Sequence, residues 1–301
     1  WLMHRLSAAL VALVAFPAAA QPLTRADISQ IDQLVTKTLA DTGVPSAEIA
    51  IVRNGEFVLN KAYGKANEGL PARPDLPYQI ASNSKQFTAM ALLLLRDDGK
   101  LSLDDHVSKF IPGITEGDKI TIRELLSHTS SLQDFWPQDY MFSDMTVPTT
   151  PQHTVDKWAK KPLDFQPGAR WQYSNTGYVV AGMIVEKVSG EPLLTFLNQR
   201  IFGPLGMHPL DQDNTNTRAF PAGYHRFALG PVRVAQPPAR GWLYAAGELS
   251  MTAADLAKWD IARMNRSLIP ERDWVEQETP VLRTDGRTNG YGLGVFAPYA
   301  R

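Results

Sequence analysis

Apolar residues recur at helical spacing from the start of the main body of the chain. Thr24, with Asp27 three positions on, forms a capping box, and Ile28, Ile31, Leu34, Val35 and Leu39 follow on one face. Gly43-Val44-Pro45 ends that helix. Ala47 to Val52 is β-rich, Asn54-Gly55 is a two-residue hairpin turn, and Glu56 to Leu59 returns. Pro71, Pro74 and Pro77 mark a loop, and a helix runs from about Ser82 to Asp98 with Gly99 as its cap. Thr121 with Glu124 is a second capping box leading into Leu125-Leu126. Tyr178 to Val188 is helical up to Gly190, residues 210–240 are proline-rich and irregular, and Thr252 with Asp255 caps a helix through Met264. Tyr291 to Phe296 reads as a strand. Strands near both ends with helices between them predict an α+β domain. In it an antiparallel sheet is flanked by helices, and a helical lobe over roughly residues 85–240 is inserted between sheet segments.

Residues 131–170 carry Phe135, Trp136, Tyr140, Phe142, Trp158 and Phe165 among prolines and polar residues. Such loops wall clefts or simply anchor themselves, and both readings stand.

The first twenty residues follow a different pattern. His4 and Arg5 precede an apolar run from Ala8 to Phe16, and Ala18-Ala19-Ala20 offers a small-residue cleavage site before Gln21. Residues 1–20 therefore read as a secretory signal peptide and 21–301 as the mature domain, periplasmic or secreted. An uncleaved anchor or a buried N-terminal helix is the alternative. The run is short for a membrane span, and no stable span is expected after cleavage.

Composition adds exclusions. Thirty basic residues stand against thirty-one acidic ones, so nothing electrostatic points to nucleic acid as a partner. The absence of cysteine excludes disulfides, thiolate catalysis and zinc–thiolate sites. The histidines show no metal-ligand spacing, and no cofactor is expected.

The candidate chemistry begins at Ser82-Asn83-Ser84-Lys85. Spacing i, i+3 puts hydroxyl and amine on one face of a turn. A serine hydroxyl attacks poorly unless a base takes its proton. A lysine serves as that base at pH 7 only if its pKa of ~10.4 falls by roughly three units. Taken alone, the motif also fits a capping serine beside a solvated lysine. Tyr173-Ser174-Asn175 adds a phenol that ionises more easily near a cation and an amide that offers both donor and acceptor. Singly, that segment also fits a half-buried tyrosine and a capping asparagine.

Several ordered segments together resemble the serine β-lactamase-like family, which includes class C β-lactamases, D-alanyl-D-alanine carboxypeptidases and family VIII esterases. Ile80 to Ala89 is similar to its nucleophile helix. Leu125-Leu126-Ser127-His128-Thr129-Ser130 is similar to its Leu-Leu-x-His-Thr-Ser turn, with Ser131 where glycine is usual. Pro167-Gly168 to Tyr178, Phe202 to Met207, Ala246 to Leu256 and Tyr291-Gly292-Leu293-Gly294 are further likenesses. The resemblance spans most of residues 25–296 and implies the β-lactamase/transpeptidase-like fold. It implies that Ser82 is acylated, Lys85 assists its deprotonation, Tyr173 transfers protons and Asn175 orients substrate. The backbone N–H of Ser82 would supply one oxyanion donor, and His128 would be structural. The implied substrate is a small-molecule ester, a β-lactam or a peptidoglycan-like peptide. The alternative is a catalytically impaired, penicillin-binding-like protein that holds ligand without turnover.

The sequence departs from that family in one respect. A third motif, Lys-Thr-Gly or His-x-Gly, is usual on a strand after Tyr-Gly-Leu-Gly, and Arg301 precedes any such motif. The closing strands and C-terminal helix of the family fold are therefore expected to be missing from this chain. The expectation is a chain of modest stability, with an exposed sheet edge and weakened catalysis.

Overall fold

The computed structural model describes residues 22–137, 141–215 and 217–297. The leader expected over residues 1–20 and the loop residue Tyr140 lie outside the described residues. No helix among the described residues is long and apolar enough to cross a membrane.

Helix α1 (Arg25–Thr42) starts at the Thr24/Asp27 capping box and stops at Gly43, whose φ of 72° is left-handed. Strands β1 (Ser46–Arg53) and β2 (Glu56–Asn67) pair antiparallel about Asn54-Gly55, both at positive φ. A register shift between Ile51 and Val52 kinks the hairpin, and β3 (Leu70–Pro71) adds to β2. Among the described residues β1 pairs only with β2. A second small sheet has the order β4 (Tyr78–Gln79), β8 (Leu249–Met251), β5 (Leu210–Asp211). Its central strand returns from far along the sequence to lie behind the segment that carries Ser82.

Helix α2 (Lys85–Asp97) is the axis of the core. Phe87 and the run from Ala89 to Leu95 are buried, so this helix is apolar on every side. Its neighbours include α5 (Asn175–Ser189), on which packs in turn α3 (Ile122–Leu126), a helix that starts at its own capping box. Between these two lies the short α4 (Pro151–Thr154); α6 (Leu193–Leu197) follows. The Phe87 ring meets Phe202 at 5.1 Å and Trp259 at 4.8 Å, and Trp259 meets Trp274 at 4.8 Å. These rings fasten α9 (Ala253–Met264) and α10 (Glu271–Glu278) to α2. Truncating one of the buried leucines of α2 to alanine costs about 2–5 kcal/mol.

The proline-rich stretch 210–240 is less irregular than its composition suggests. It contains α7 (Gln212–Thr215) and a hairpin of β6 (Tyr224–His225) with β7 (Arg233–Val234). A short helix, α8 (Tyr244–Gly247), leads into β8.

Three sequence expectations are corrected. The helix expected from Ser82 starts at Lys85, and Ser82 lies on a 3₁₀ turn, Ala81–Ser84, because Ala81 adopts a left-handed φ of 46°. The helix expected from Tyr178 begins at Asn175, because the Ser174 hydroxyl accepts from Gly177 N–H at 3.1 Å and caps it. The strand expected over Tyr291 to Phe296 is a bend closed by a single bridge between those residues. Gly294 has φ of 77°, and the N–H groups of Leu293 and Gly294 donate to Gln277 and Leu126 rather than to a strand.

Candidate active site

Ser82 is exposed, at the mouth of a cavity of about 1010 Å³ that Tyr173, Asn175, Asp134, Trp136 and Leu243 also line. Its backbone is pinned on both sides. Ile80 N–H donates to the Leu249 carbonyl at 3.0 Å, and Leu249 N–H donates to Ser84 Oγ at 3.2 Å. Gly247 packs against Ala81, where a Cβ would meet the Ala81 carbonyl carbon at 3.4 Å. The left-handed Ala81 costs about 1 kcal/mol, and these contacts hold it in place. Ser82 N–H belongs to the opening turn of a helical segment, where donors lack intrahelical partners.

Lys85, one turn on, is fully buried. Its ammonium donates to Ser82 Oγ at 3.0 Å, to Asn175 Oδ1 at 2.9 Å and to the Ala246 carbonyl at 2.6 Å. It also lies 4.9 Å from the ring centre of Tyr173 and 5.3 Å from that of Tyr178. Oxygen acceptors and ring faces around one amine offset the cost of burying its charge.

Tyr173 reaches the site along a segment tied to the turn after α3. Gly168 N–H donates to the Thr129 carbonyl and Gln172 N–H to the His128 carbonyl, both at 2.9 Å. The phenol then donates to Ser82 Oγ at 2.7 Å. Beneath its ring lies His128, 4.3 Å away between centres. Nδ1 of His128 accepts from Ser174 N–H at 3.1 Å. Burial, with the charge of Lys85 adding, holds the imidazole well below its ordinary pKa. This neutral ring packs among Tyr173, Tyr178 and Tyr291 and forms a platform under the phenol.

All four residues singled out from sequence, Ser82, Lys85, Tyr173 and Asn175, thus meet in one place. Asn175 is buried, and its amide is already engaged at both ends, by Lys85 and by Asp134. Sequence reasoning missed Asp134. Its Oδ1 accepts from the N–H groups of Asn175 at 2.9 Å and Trp136 at 3.2 Å, and its Oδ2 accepts from Asn175 Nδ2 at 3.2 Å. The available signal was an acidic residue beside aromatics in the loop after α3. Burial raises the Asp134 carboxyl above its ordinary value, while those hydrogen bonds and the charge of Lys85 oppose the rise. Among the loop aromatics Trp136 lines the cavity, whereas Phe135, Phe142 and Trp158 pack round Trp242 as anchors.

The family model described as Beta-lactamase matches residues 31–299. The chain belongs to the Beta-lactamase family. Among similar relatives of this Beta-lactamase family chain is a putative penicillin-binding protein, PbpX, of Bacillus subtilis (strain 168). The two are 29% identical over 268 residues, which cover 88% of this chain and 65% of that one. An octameric penicillin-binding protein homologue from Pyrococcus abyssi superposes with a TM-score of 0.75 at 28% identity, covering 89% of this chain and 64% of that one. A D-stereospecific amidohydrolase from Streptomyces sp. superposes with a TM-score of 0.72 at 30% identity, covering 87% of this chain and 81% of that one. The chain spans about half to two thirds of the length of the curated relatives it matches. These likenesses establish the β-lactamase/transpeptidase-like, mixed α+β fold.

Proposed function

We propose that this protein is an exported serine hydrolase that cleaves an ester or amide through an acyl-Ser82 intermediate. The observation that carries the reading is the convergence on one hydroxyl of the Tyr173 phenol at 2.7 Å and the Lys85 amine at 3.0 Å. Once the Tyr173–Lys85 pair has lost one proton to solvent, Ser82 Oγ attacks the substrate carbonyl carbon while its own proton passes to that pair. The oxyanion forms beside Ser82 N–H, where the opening of a helical turn favours negative charge. The pair returns the proton to the departing alcohol or amine, leaving an ester on Ser82. Water then attacks the ester carbonyl and gives a proton to the same pair, which returns it to Ser82 Oγ as the acid leaves. The second N–H of the Asn175 amide, beyond the one engaged by Asp134, is assigned to the substrate carbonyl.

The substrate class is a small ester, a β-lactam or a D-alanyl-D-alanine-type peptide. A second, largely apolar cavity of about 1210 Å³ adjoins the first through Ala81, Trp136 and Leu243, which leaves room for a bulky group on either side of the scissile bond.

Incubation with a fluorophosphonate, and separately with benzylpenicillin and a p-nitrophenyl ester, followed by intact-mass and peptide mapping, tests the reading. An adduct on Ser82 that is absent from Ser82→Ala is expected. A folded protein that takes no adduct would overturn it and leave binding without turnover.

A further inference from the structure

We infer that Asp134 is a positioning residue: it fixes the Asn175 side-chain amide so that its oxygen, and not its nitrogen, faces the Lys85 ammonium. The inference rests on the acyl-serine reading and extends it to a residue that does not touch the reacting atoms.

An asparagine side chain is nearly symmetric in shape but opposite in hydrogen bonding at its two ends. Asn175 Oδ1 accepts from Lys85 at 2.9 Å, and its Nδ2 donates to Asp134 at 3.2 Å. Turned over, the amide would set NH₂ against an ammonium at one end and oxygen against a carboxylate at the other. An ionised carboxylate is acceptor-only, so Asp134 leaves a single orientation. Its other oxygen accepts from Asn175 N–H at 2.9 Å and holds the same residue by its backbone. The clamp therefore sets where Lys85 finds one of its acceptors, and with it the distance from amine to Ser82.

The carboxylate also adds negative charge behind the amine. The titratable groups around it are Lys85 at the start of α2, Tyr173, Asp164 on the same cavity wall and the buried, neutral His128. Removing that charge makes the proton shared by Lys85, Tyr173 and Ser82 easier to lose.

A purely structural role is the competing explanation, since Asp134 also accepts from the first N–H of α5. That helix already has Ser174 as its cap, at 3.1 Å from Gly177 N–H. Asp134→Asn separates the two roles. It keeps an oxygen for the backbone N–H groups but sets one NH₂ against another at Asn175.

The experiment measures fluorophosphonate labelling of Ser82 against pH in the full chain, for wild type, D134N, N175A and the double variant, with a thermal melt of each. For D134N the plateau rate should fall about 10–100-fold, the cost of a slightly misplaced catalytic group. The acid limb should move to lower pH. In the N175A background D134N should cost less than about twofold more, because the clamped amide is already gone. A plateau within twofold of wild type, an unmoved limb, or full additivity in the double variant would overturn the inference. If D134N melts below the assay temperature, D134S is read in the same way. If wild type takes no label, the hydrolase reading fails by itself. The clamp is then judged by the NMR titration of the Lys85 side chain, whose midpoint must fall in D134N and whose constancy would overturn it.

Discussion

The phenolic oxygen of Tyr173 lies 2.7 Å from Oγ of Ser82, across ninety-one positions of sequence. Packing brings them together: the Gly168–Gln172 segment is tied to the turn after α3, and the Tyr173 ring rests on a neutral, buried His128. Replacing Tyr173 with phenylalanine keeps the ring and removes only the proton-carrying oxygen. Acylation of Ser82 is expected to slow by ~10²–10⁴ with the melting temperature little changed. Stopped-flow labelling beside a thermal melt measures both, and an unchanged rate would take the phenol out of the chemistry.

Ser131 has φ of 66°, which explains why glycine is usual there. The serine offsets its strained backbone by accepting from Phe165 N–H through Oγ at 2.6 Å. Ser131→Ala keeps the strain and leaves that donor unpaired, so a loss of about 1–3 kcal/mol is expected. Ser131→Gly loses the same bond but relieves the strain, and should be about 1 kcal/mol more stable than the alanine variant. Urea unfolding of the three proteins gives the order; alanine equal to or above glycine would contradict it.

Gly294 approaches the start of α2 so closely that a Cβ would fall 2.7 Å from the Lys85 carbonyl oxygen. Its φ of 77° adds a backbone penalty for any other residue. Gly294→Ala is expected to destabilise by at least about 2 kcal/mol and to slow labelling of Ser82, because the backbone of Lys85 must shift. Calorimetry and the labelling rate report the two effects, and a variant indistinguishable from wild type in both would refute this account of the contact.

Glu48 gives a pH dependence that involves no catalytic group. Both its carboxylate oxygens are shut off from water. Burial, with the charges of Asp255 and Asp75 adding, pushes its carboxyl up to about 7. The folded state therefore holds the proton more tightly than the unfolded chain, where a glutamate titrates near ~4.3. Its stabilising contribution is complete below that value and is lost as pH rises through about 7. Glu48→Gln removes this slope. The stability of the variant relative to wild type should rise between pH 5 and 8 by on the order of 1–2 kcal/mol, after allowance for partial exposure. Denaturant midpoints at the two ends of that range decide the point; a difference that stays flat or falls would reverse the sign.

Local rules reached part of this molecule from its sequence. The capping boxes at Thr24 and Thr121, the Asn54-Gly55 hairpin and the shared face of Ser82 and Lys85 depend on residues within four positions of one another, and each has its place in the fold. The chemistry of Tyr173 and Asn175 was legible from their side chains, but their meeting with Ser82 came only from family resemblance, since nothing local says that they fold back onto it. Asp134 offered only the weak signal of an acidic residue beside aromatics. Its meaning depends on a loop lying across the first turn of α5, forty-one residues away. The strand read into Tyr291 to Phe296 failed for a visible reason. Its two glycines let the backbone turn, and its N–H groups donate to Gln277 and Leu126.

The acceptors around the Lys85 amine come from its own turn, from Asn175 at the start of α5 and from Ala246 just before β8. Under the proposed acyl-serine chemistry that amine would be a checkpoint as well as a reagent. A chain in which any of the three segments is out of place would carry only an ordinary alcohol at position 82, so reactivity would wait on completed assembly.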